Sequence, residues 1–552
     1  MQSLKSFCLL AIRLGAILML YMVLDGFLRR ISHLPESSYR QPVIIFELVE
    51  RLVDGSWLSY MATRLLQKGF ITLFVGVFAI TFFVVLGIRY RAYWQNFSNL
   101  MCQWSGLVDG IALRWLIVTI TLLPTWLTST YDFNLYFNQA HYADRFLLLL
   151  LGVLVAWRPI FVFPFILLLL AIFNQFSYPF EGNPSWTELN LLVRALTLFG
   201  STFLIWALTK RANTKDFIFL LCCLVASCYW GSGIGKFQLN WISHPHLHLL
   251  FFGAFANGWL GFCEPSTIVT LSKFFSHFTI PFMLFTLVIE WGALLLLWKR
   301  WSFLGFLGGF ILFHIGIFFI TGMFFWKWMV LEGALITYFV WNNEQREIPI
   351  FSWSHFTISV VIIGGSLLWF YPRNLSWYDT PVTYVHRIEG VGESGTRYHL
   401  TPQTFTPYSD LFTLGPFSFL SKYPQLTHIW GISGNIAIAE KLVNLTSPKL
   451  VFALEKEMGQ ISFDETAANN FEEFMAKFIG NLNERRSKRT VLSILQPPPH
   501  LWTFPKQDIS KFQERLVKVS ITEVTFLYDG DHFRSIRERH IRDIHIPVVG
   551  GQ

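Results

Sequence analysis

The sequence predicts an α-helical polytopic membrane bundle of about 9–11 spans with a C-terminal soluble α+β domain. Three observations predict it. The 552 residues are 53% hydrophobic and only 14% charged, against about 25% charged in ordinary globular proteins, and mean hydropathy is +0.45. Apolar runs of about 20 residues recur, the length that crosses a hydrocarbon core about 30 Å thick. The charges are segregated: 20 of 43 Lys and Arg and 19 of 35 Asp and Glu lie from Pro372 onward. The chain therefore divides into a multi-span domain, residues 1–371, and a soluble extracytoplasmic α+β domain, residues 372–552. The net charge of +8 falls mostly on loops of the first domain. It implies a lipid surface as partner and excludes a nucleic-acid face.

The predicted spans are 7–27, 70–88, 109–129, 144–157, 159–176, 191–208, 216–232, 278–297, 302–321, 326–341 and 351–371. The first follows Lys5 and lacks a small-residue cleavage site, so it reads as an uncleaved span. The run "DRFLLLLLGVLVAWRPIFVFPFILLLLAIFNQF" is too long for one upright helix, and Arg158-Pro159 splits it. With the N-terminus cytoplasmic, the inner loops "RYRAYW", "WRP", "KRANTKD", "KRW" and "NNEQRE" all carry arginine or lysine. The opposite loop "SYPFEGNPSWTELN" carries neither, which obeys the positive-inside rule. Eleven spans from an inside start leave the tail in the periplasm or lumen. The stretch "VIIFELVERLVDGSWLSYMATRLL" is amphipathic and predicts a helix lying along the membrane surface.

In the tail, "DTPVTYVHRIEG" and "TRYHLTPQTF" suit strands. "DETAANNFEEFMAKFIGNLNERRS" is a helix with Phe471, Phe474, Phe478 and Leu482 on one face. "LVKVSITEVTFLYDGDHF" reads as two strands and a turn. All six cysteines, Cys8, Cys102, Cys222, Cys223, Cys228 and Cys263, precede the tail, and no disulfide framework or CxxC pattern exists.

Chemistry concentrates near "CYWGSGIGKFQLNWISHPHLHLLFF", where Lys236 ends an apolar run and His244, His246 and His248 follow. Glu290 and His314 lie inside spans, where an ionisable group costs about 2.5–3.5 kcal/mol on insertion scales. Each has a plain reading. Lys236 can snorkel from a helix end, His314 can bond a neighbouring helix, and Glu290 can pair with Arg194 or His314. Histidines two apart do not share a helix face, so no metal site is expected.

In combination these residues resemble a known family, the vitamin K-dependent γ-carboxylase and its bacterial relatives, the horizontally transferred transmembrane (HTTM) proteins. "FNQAHYADRFLLLLLGV" is similar to the family's Asn/His/Tyr cluster, through Asn138, His141 and Tyr142. "GIGKFQLNW" matches its Gly-x-x-Lys step through Gly233, Lys236, Asn240 and Trp241. "VIEWGALLLLW", "LFHIG" and "TGMFFW" supply in order the acidic Glu290, the Phe-His of His314 and the Gly-Met-Phe of Met323 and Phe324. "AIRLGAILMLY", with Arg13, resembles the family's first span.

The resemblance covers roughly residues 7–345. It implies deprotonation and oxygenation of a reduced vitamin K or another naphthoquinol, to the epoxide, coupled to glutamate carboxylation of an exported peptide or protein. Lys236 would be the base. His141 and His314 would hydrogen-bond oxygens or developing anions. Asn138, Tyr142, Trp241, Glu290, Met323 and Phe324 would line the quinol site. Such a base must be a desolvated amine beside a cavity, with His141 and His314 around the same pocket. The alternative is a non-enzymatic HTTM scaffold or maturation factor that binds an exported protein through its tail. Two departures stand out: the family's lysine pair is Gly235-Lys236 here, and the tail has no cysteine to tie it to the membrane part.

Overall fold

A computed structural model describes residues 2–53, 111–131, 133–180, 187–209, 213–341, 349–414, 417–485, 495–504 and 514–547. The expected span 70–88, residues 54–66 of the expected surface helix and the inner loops "RYRAYW" and "NNEQRE" lie outside the described residues. The bundle opens with α1 (Gln2–Ile31) and a surface helix α2 (Ile45–Val53). On α2, Leu48 is buried while Phe46, Val49, Leu52 and Val53 face outward, as the amphipathic pattern requires. Then come α3 (Ile111–Ser129), α4 (Tyr142–Trp157), α5 (Val162–Ser177), α6 (Thr187–Thr209) and α7 (Thr214–Gln238). A short α8 (Leu250–Ala256) leads to α9 (Pro265–Ser276) and α10 (Thr279–Gly292), and α11 (Arg300–Thr321), α12 (Trp326–Trp341) and α13 (Trp353–Gly364) complete the bundle.

The chain is a helical membrane bundle followed by a C-terminal region of helices and small antiparallel sheets, and the described residues bear on part of the expected span count. Among the described residues, 6 helices are long and apolar enough to cross a bilayer, or up to 7 if the pair Pro265–Ser276 and Thr279–Leu295, bent by 67°, is one span. The expected spans 144–157 and 326–341 form helices of 16 residues each. At 1.5 Å per residue such a helix reaches about 24 Å, short of the hydrocarbon thickness. The expected span 351–371 breaks at Gly365, leaving a 12-residue helix. Apolar length in sequence does not reveal where caps and glycines end a helix. The break before Pro159 is as expected: Arg158 is extended, with φ −143 and ψ 124, and Pro159 starts a new turn.

Helix α7 is the spine. It is apolar all round, as buried helices are, and it packs on α6, α10 and α13. Small residues let its neighbours close in. A Cβ on Gly233 would lie 2.5 Å from the Trp291 ring of α10. The helix starts in a capping box between Asn213 and Asp216, and Arg13 of α1 binds Asp216 at 2.8 Å.

The turn after α3 holds a two-stranded pair, β1 (Phe133–Asn134) and β2 (Gln139–Ala140), and the tail supplies β3 (Tyr378–Asp379), β4 (Val382–Gly392), β5 (Arg397–His399), β6 (Ile432–Ser433), β7 (Leu516–Tyr528) and β8 (Phe533–His545). The main sheet has the antiparallel order β5-β4-β7-β8. Helix α14 (Glu465–Glu484) buries Phe471, Phe474 and Phe478 in a phenylalanine-rich core.

The region is joined to the bundle at many points. Tyr136 stacks on Phe474 at 5.4 Å, and Asn481 donates to the Leu135 carbonyl at 2.6 Å. Phe180 meets Phe474, Phe252 stacks on Tyr528 at 4.1 Å, and Asn257 donates to the Ile429 carbonyl at 2.9 Å. Loops after α3, α5, α7 and α11 therefore share one end of the bundle with the C-terminal region. The Arg13–Asp216 pair, in the N-terminal half of α1 and at the start of α7, lies toward the other end.

Candidate functional site

Lys236 sits in the last turn of α7, where a cation also suits the helix dipole. It is buried. Its Nζ donates to Glu290 Oε1 at 2.6 Å and to the Leu375 carbonyl at 3.1 Å, and lies 5.4 Å from the centre of the buried Trp241 ring. The amine expected to stand unpaired is thus in an ion pair. Helix α10 brings Glu290 there because Trp291 locks onto α7, donating from Nε1 to the Gly233 carbonyl at 2.9 Å. Glu290 Oε2 is buried with no hydrogen-bond partner among the described residues.

The neighbouring Gly235 packs against the chain that enters the C-terminal region. A Cβ built there would fall 1.7 Å from Asn374 Oδ1 and 2.4 Å from its Cγ. The chain entering the C-terminal region occupies the space that a second lysine would need.

Tyr229 lies seven residues before Lys236 on α7, two turns away on the same face. Its hydroxyl is 2.7 Å from His314 Nε2 and donates to Glu332 Oε1 on α12. His314 thus joins the α7 cluster two turns from Lys236. Tyr229 and Glu332 were not singled out in the sequence. The signal was present for Glu332, since "VLEGAL" places an acid inside an apolar run as surely as "VIEWGAL" does.

The other expected residues lie elsewhere or do other work. His141 is fully buried beside Gln175, with Nε2 to Nε2 at 2.7 Å, and Asp144, with Nδ1 to Oδ2 at 3.4 Å. Among the described residues it shares no hydrogen-bond partner with Lys236 or His314. Asn138 is left-handed, φ 51, in the turn joining β1 and β2, a conformation asparagine tolerates. Tyr142 begins α4 and is exposed. Met323 bridges Leu501 in antiparallel fashion, and Phe324 donates its backbone N–H to the His500 carbonyl at 2.7 Å. These two residues dock the C-terminal region. Because α11 ends in a left-handed Gly322, the backbone after it is free to pair.

His244, His246 and His248 line up ring to ring, at 4.5 Å and 5.9 Å. No group able to hold a metal exists among the described residues. His244 Nε2 instead meets the Asp379 carbonyl at 3.0 Å. A cleft of about 130 Å³ lies between the α8 end and β4–β5, lined by Asn257, His386, Arg387, His399, Phe412 and Leu501 among others. It contains none of the α7 cluster. No protein-family model, curated protein or solved structure matches this chain.

Proposed function

We propose that this multi-pass membrane protein removes a proton from a reduced naphthoquinone at the Lys236–Glu290 pair, coupled to oxygenation of that quinol and carboxylation of glutamate in an exported peptide or protein. The observation that carries this reading is a buried lysine–carboxylate pair with one carboxylate oxygen unbonded among the described residues, on a helix that two turns earlier carries Tyr229, bonded to a second buried carboxylate, Glu332. Ionisable groups at this depth are costly, and function is their default explanation. The resemblance to the γ-carboxylase and HTTM families supports the same choice.

Trp241 and Trp291 lie beside the pair, and Glu290 Oε2 would accept a phenolic hydrogen from a quinol admitted there. When bound, it supplies the reducing electrons and the oxygen-reactive ring. Proton acceptance falls on Glu290 Oε2. Lys236 Nζ holds Oε1 and balances the anionic charge that develops nearby. The base is therefore the pair rather than a free amine. Loop charge supports a cytoplasmic N-terminus and a periplasmic or luminal C-terminal region, since Arg158 and Lys299 sit in the connections before α5 and α11, with Arg300 opening α11.

The test is oxygen-dependent oxidation of borohydride-reduced menaquinone by the purified full chain. Turnover is expected in the wild type and lost in Lys236→Ala and Glu290→Gln. A wild type without turnover, or a fully active Lys236→Ala, overturns the reading.

A second reading, a scaffold gripping an exported protein, draws on the cleft between α8 and β4–β5 and on the many joints of the C-terminal region. It requires that cellular function survive Lys236→Ala and fail when the cleft is filled, for instance by Thr401→Trp.

A further inference from the structure

Three helices meet at Tyr229. Its hydroxyl lies 2.7 Å from His314 Nε2 of α11 and donates to Glu332 Oε1 of α12. All three side chains are buried and aromatic rings enclose them. Phe310 stacks on Tyr229, Phe325 on His314, and Trp328 packs against both. The string ends in two buried polar atoms with no hydrogen-bond partner among the described residues, His314 Nδ1 and Glu332 Oε2. A continuous hydrogen-bonded row of imidazole, phenol and carboxylate is an arrangement able to pass protons.

We propose that His314, Tyr229 and Glu332 form a proton-transfer chain running from His314 Nδ1 to Glu332. His314 takes a proton at Nδ1 and releases the one on Nε2 to the Tyr229 oxygen. The phenol passes its own proton to Glu332 Oε1. One proton enters and one arrives; the imidazole exchanges tautomers, Tyr229 stays neutral, and Glu332 becomes a carboxylic acid. Tyr229 and Lys236 share one face of α7, so the chain is placed to take up the proton removed at the Lys236–Glu290 pair. That assignment rests on the function proposed above; delivery to Glu332 does not.

The experiment is infrared spectroscopy of the full-length protein in lipid nanodiscs during stepwise acidification in H2O and D2O. The wild-type-minus-Glu332→Gln difference spectrum is expected to hold one protonated-carboxyl band that shifts in D2O. Tyr229→Phe, which keeps the ring, should retain that band but take up deuterium on the order of tenfold more slowly, equivalent to about 1.4 kcal/mol of barrier. His314→Gln should slow it as well. No carboxyl band assignable to Glu332, or exchange at the wild-type rate in both other variants, overturns the proposal; thermal melting of each variant confirms that it is folded. Oxidation of borohydride-reduced menaquinone, measured on the same samples, reads the proposed function separately. Its failure sinks the quinol assignment and leaves the infrared result standing.

Discussion

Asp144 on α4 and Glu290 on α10 are both buried carboxylates in the bundle, yet their surroundings differ in kind. Both oxygens of Asp144 accept from the backbone N–H of Ile44, each at 3.0 Å. Around it, Arg145 donates to the Tyr131 carbonyl at 3.1 Å, and Gln175 to the Tyr39 carbonyl at 3.1 Å. These bonds run to main chain and fasten the segments that carry the surface helix and the β1–β2 turn. Glu290 bonds a side chain and keeps one oxygen bare, as does Glu332. A carboxylate with both oxygens committed holds a loop; one with an oxygen to spare has capacity for chemistry. His141 stands beside the first kind of carboxylate and His314 beside the second, although the Nδ1 of each lacks a hydrogen-bond partner among the described residues and the sequence motifs treat them alike.

The comparison is broken most forcefully at the ion pair. Glu290→Ala leaves Lys236 buried without its carboxylate and is expected to lower stability by about 3–5 kcal/mol, whereas the double variant Lys236→Met/Glu290→Leu recovers most of that. Unfolding in detergent checks stability, and quinol oxidation checks function. Recovery of stability without activity marks the pair as functional, while recovery of both makes it a structural joint like Asp144. Asp144→Ala removes a charged acceptor from a backbone N–H and should cost about 1.5–3 kcal/mol. It should leave quinol oxidation per folded molecule unchanged.

A pH titration extends the contrast to the C-terminal region. His386 on β4 lies 3.9 Å from Glu523, its side chain 4% exposed, and burial pushes it from 6.5 down to about 4, with Glu523 partly opposing. The folded state therefore resists protonating it. Stability is full above pH 6.5 and falls as the pH drops toward about 4, by up to about 1.4 kcal/mol per unit. The melting temperature of His386→Gln should decline less over that interval than that of the wild type. Tyr229→Phe removes both hydrogen bonds of the hydroxyl, to His314 and Glu332, at an expected cost of about 1–3 kcal/mol, and is read chiefly as slowed proton exchange.

Much of the architecture was legible. The surface helix, the Arg158 break, the helix carrying Phe471, Phe474 and Phe478, and the hairpin of β7 and β8 all follow from local pattern and caps. Alternation of loops put the segments after α3, α5, α7 and α11 on one side, and those segments do meet the C-terminal region. Within the site, Glu290, His314 and Lys236 announce themselves as polar residues inside apolar runs. Tyr229 gave no such signal, because a tyrosine in an aromatic-rich span looks like any other. Met323 and Phe324 looked like pocket lining, whereas their backbone pairing with Leu501 and His500 depends on contacts across more than 170 positions of sequence.

The sequence by itself determined that this protein is a greasy helical bundle with a polar C-terminal region, since burial of apolar area and helix punctuation are local properties. Tertiary structure alone decided that Lys236 is paired, that His141 stands apart from His314, and that Glu332 and Tyr229 complete a second polar group. Which buried charge meets which partner depends on how helices rotate against one another, and small residues such as Gly233 fix that rotation only once the bundle has closed.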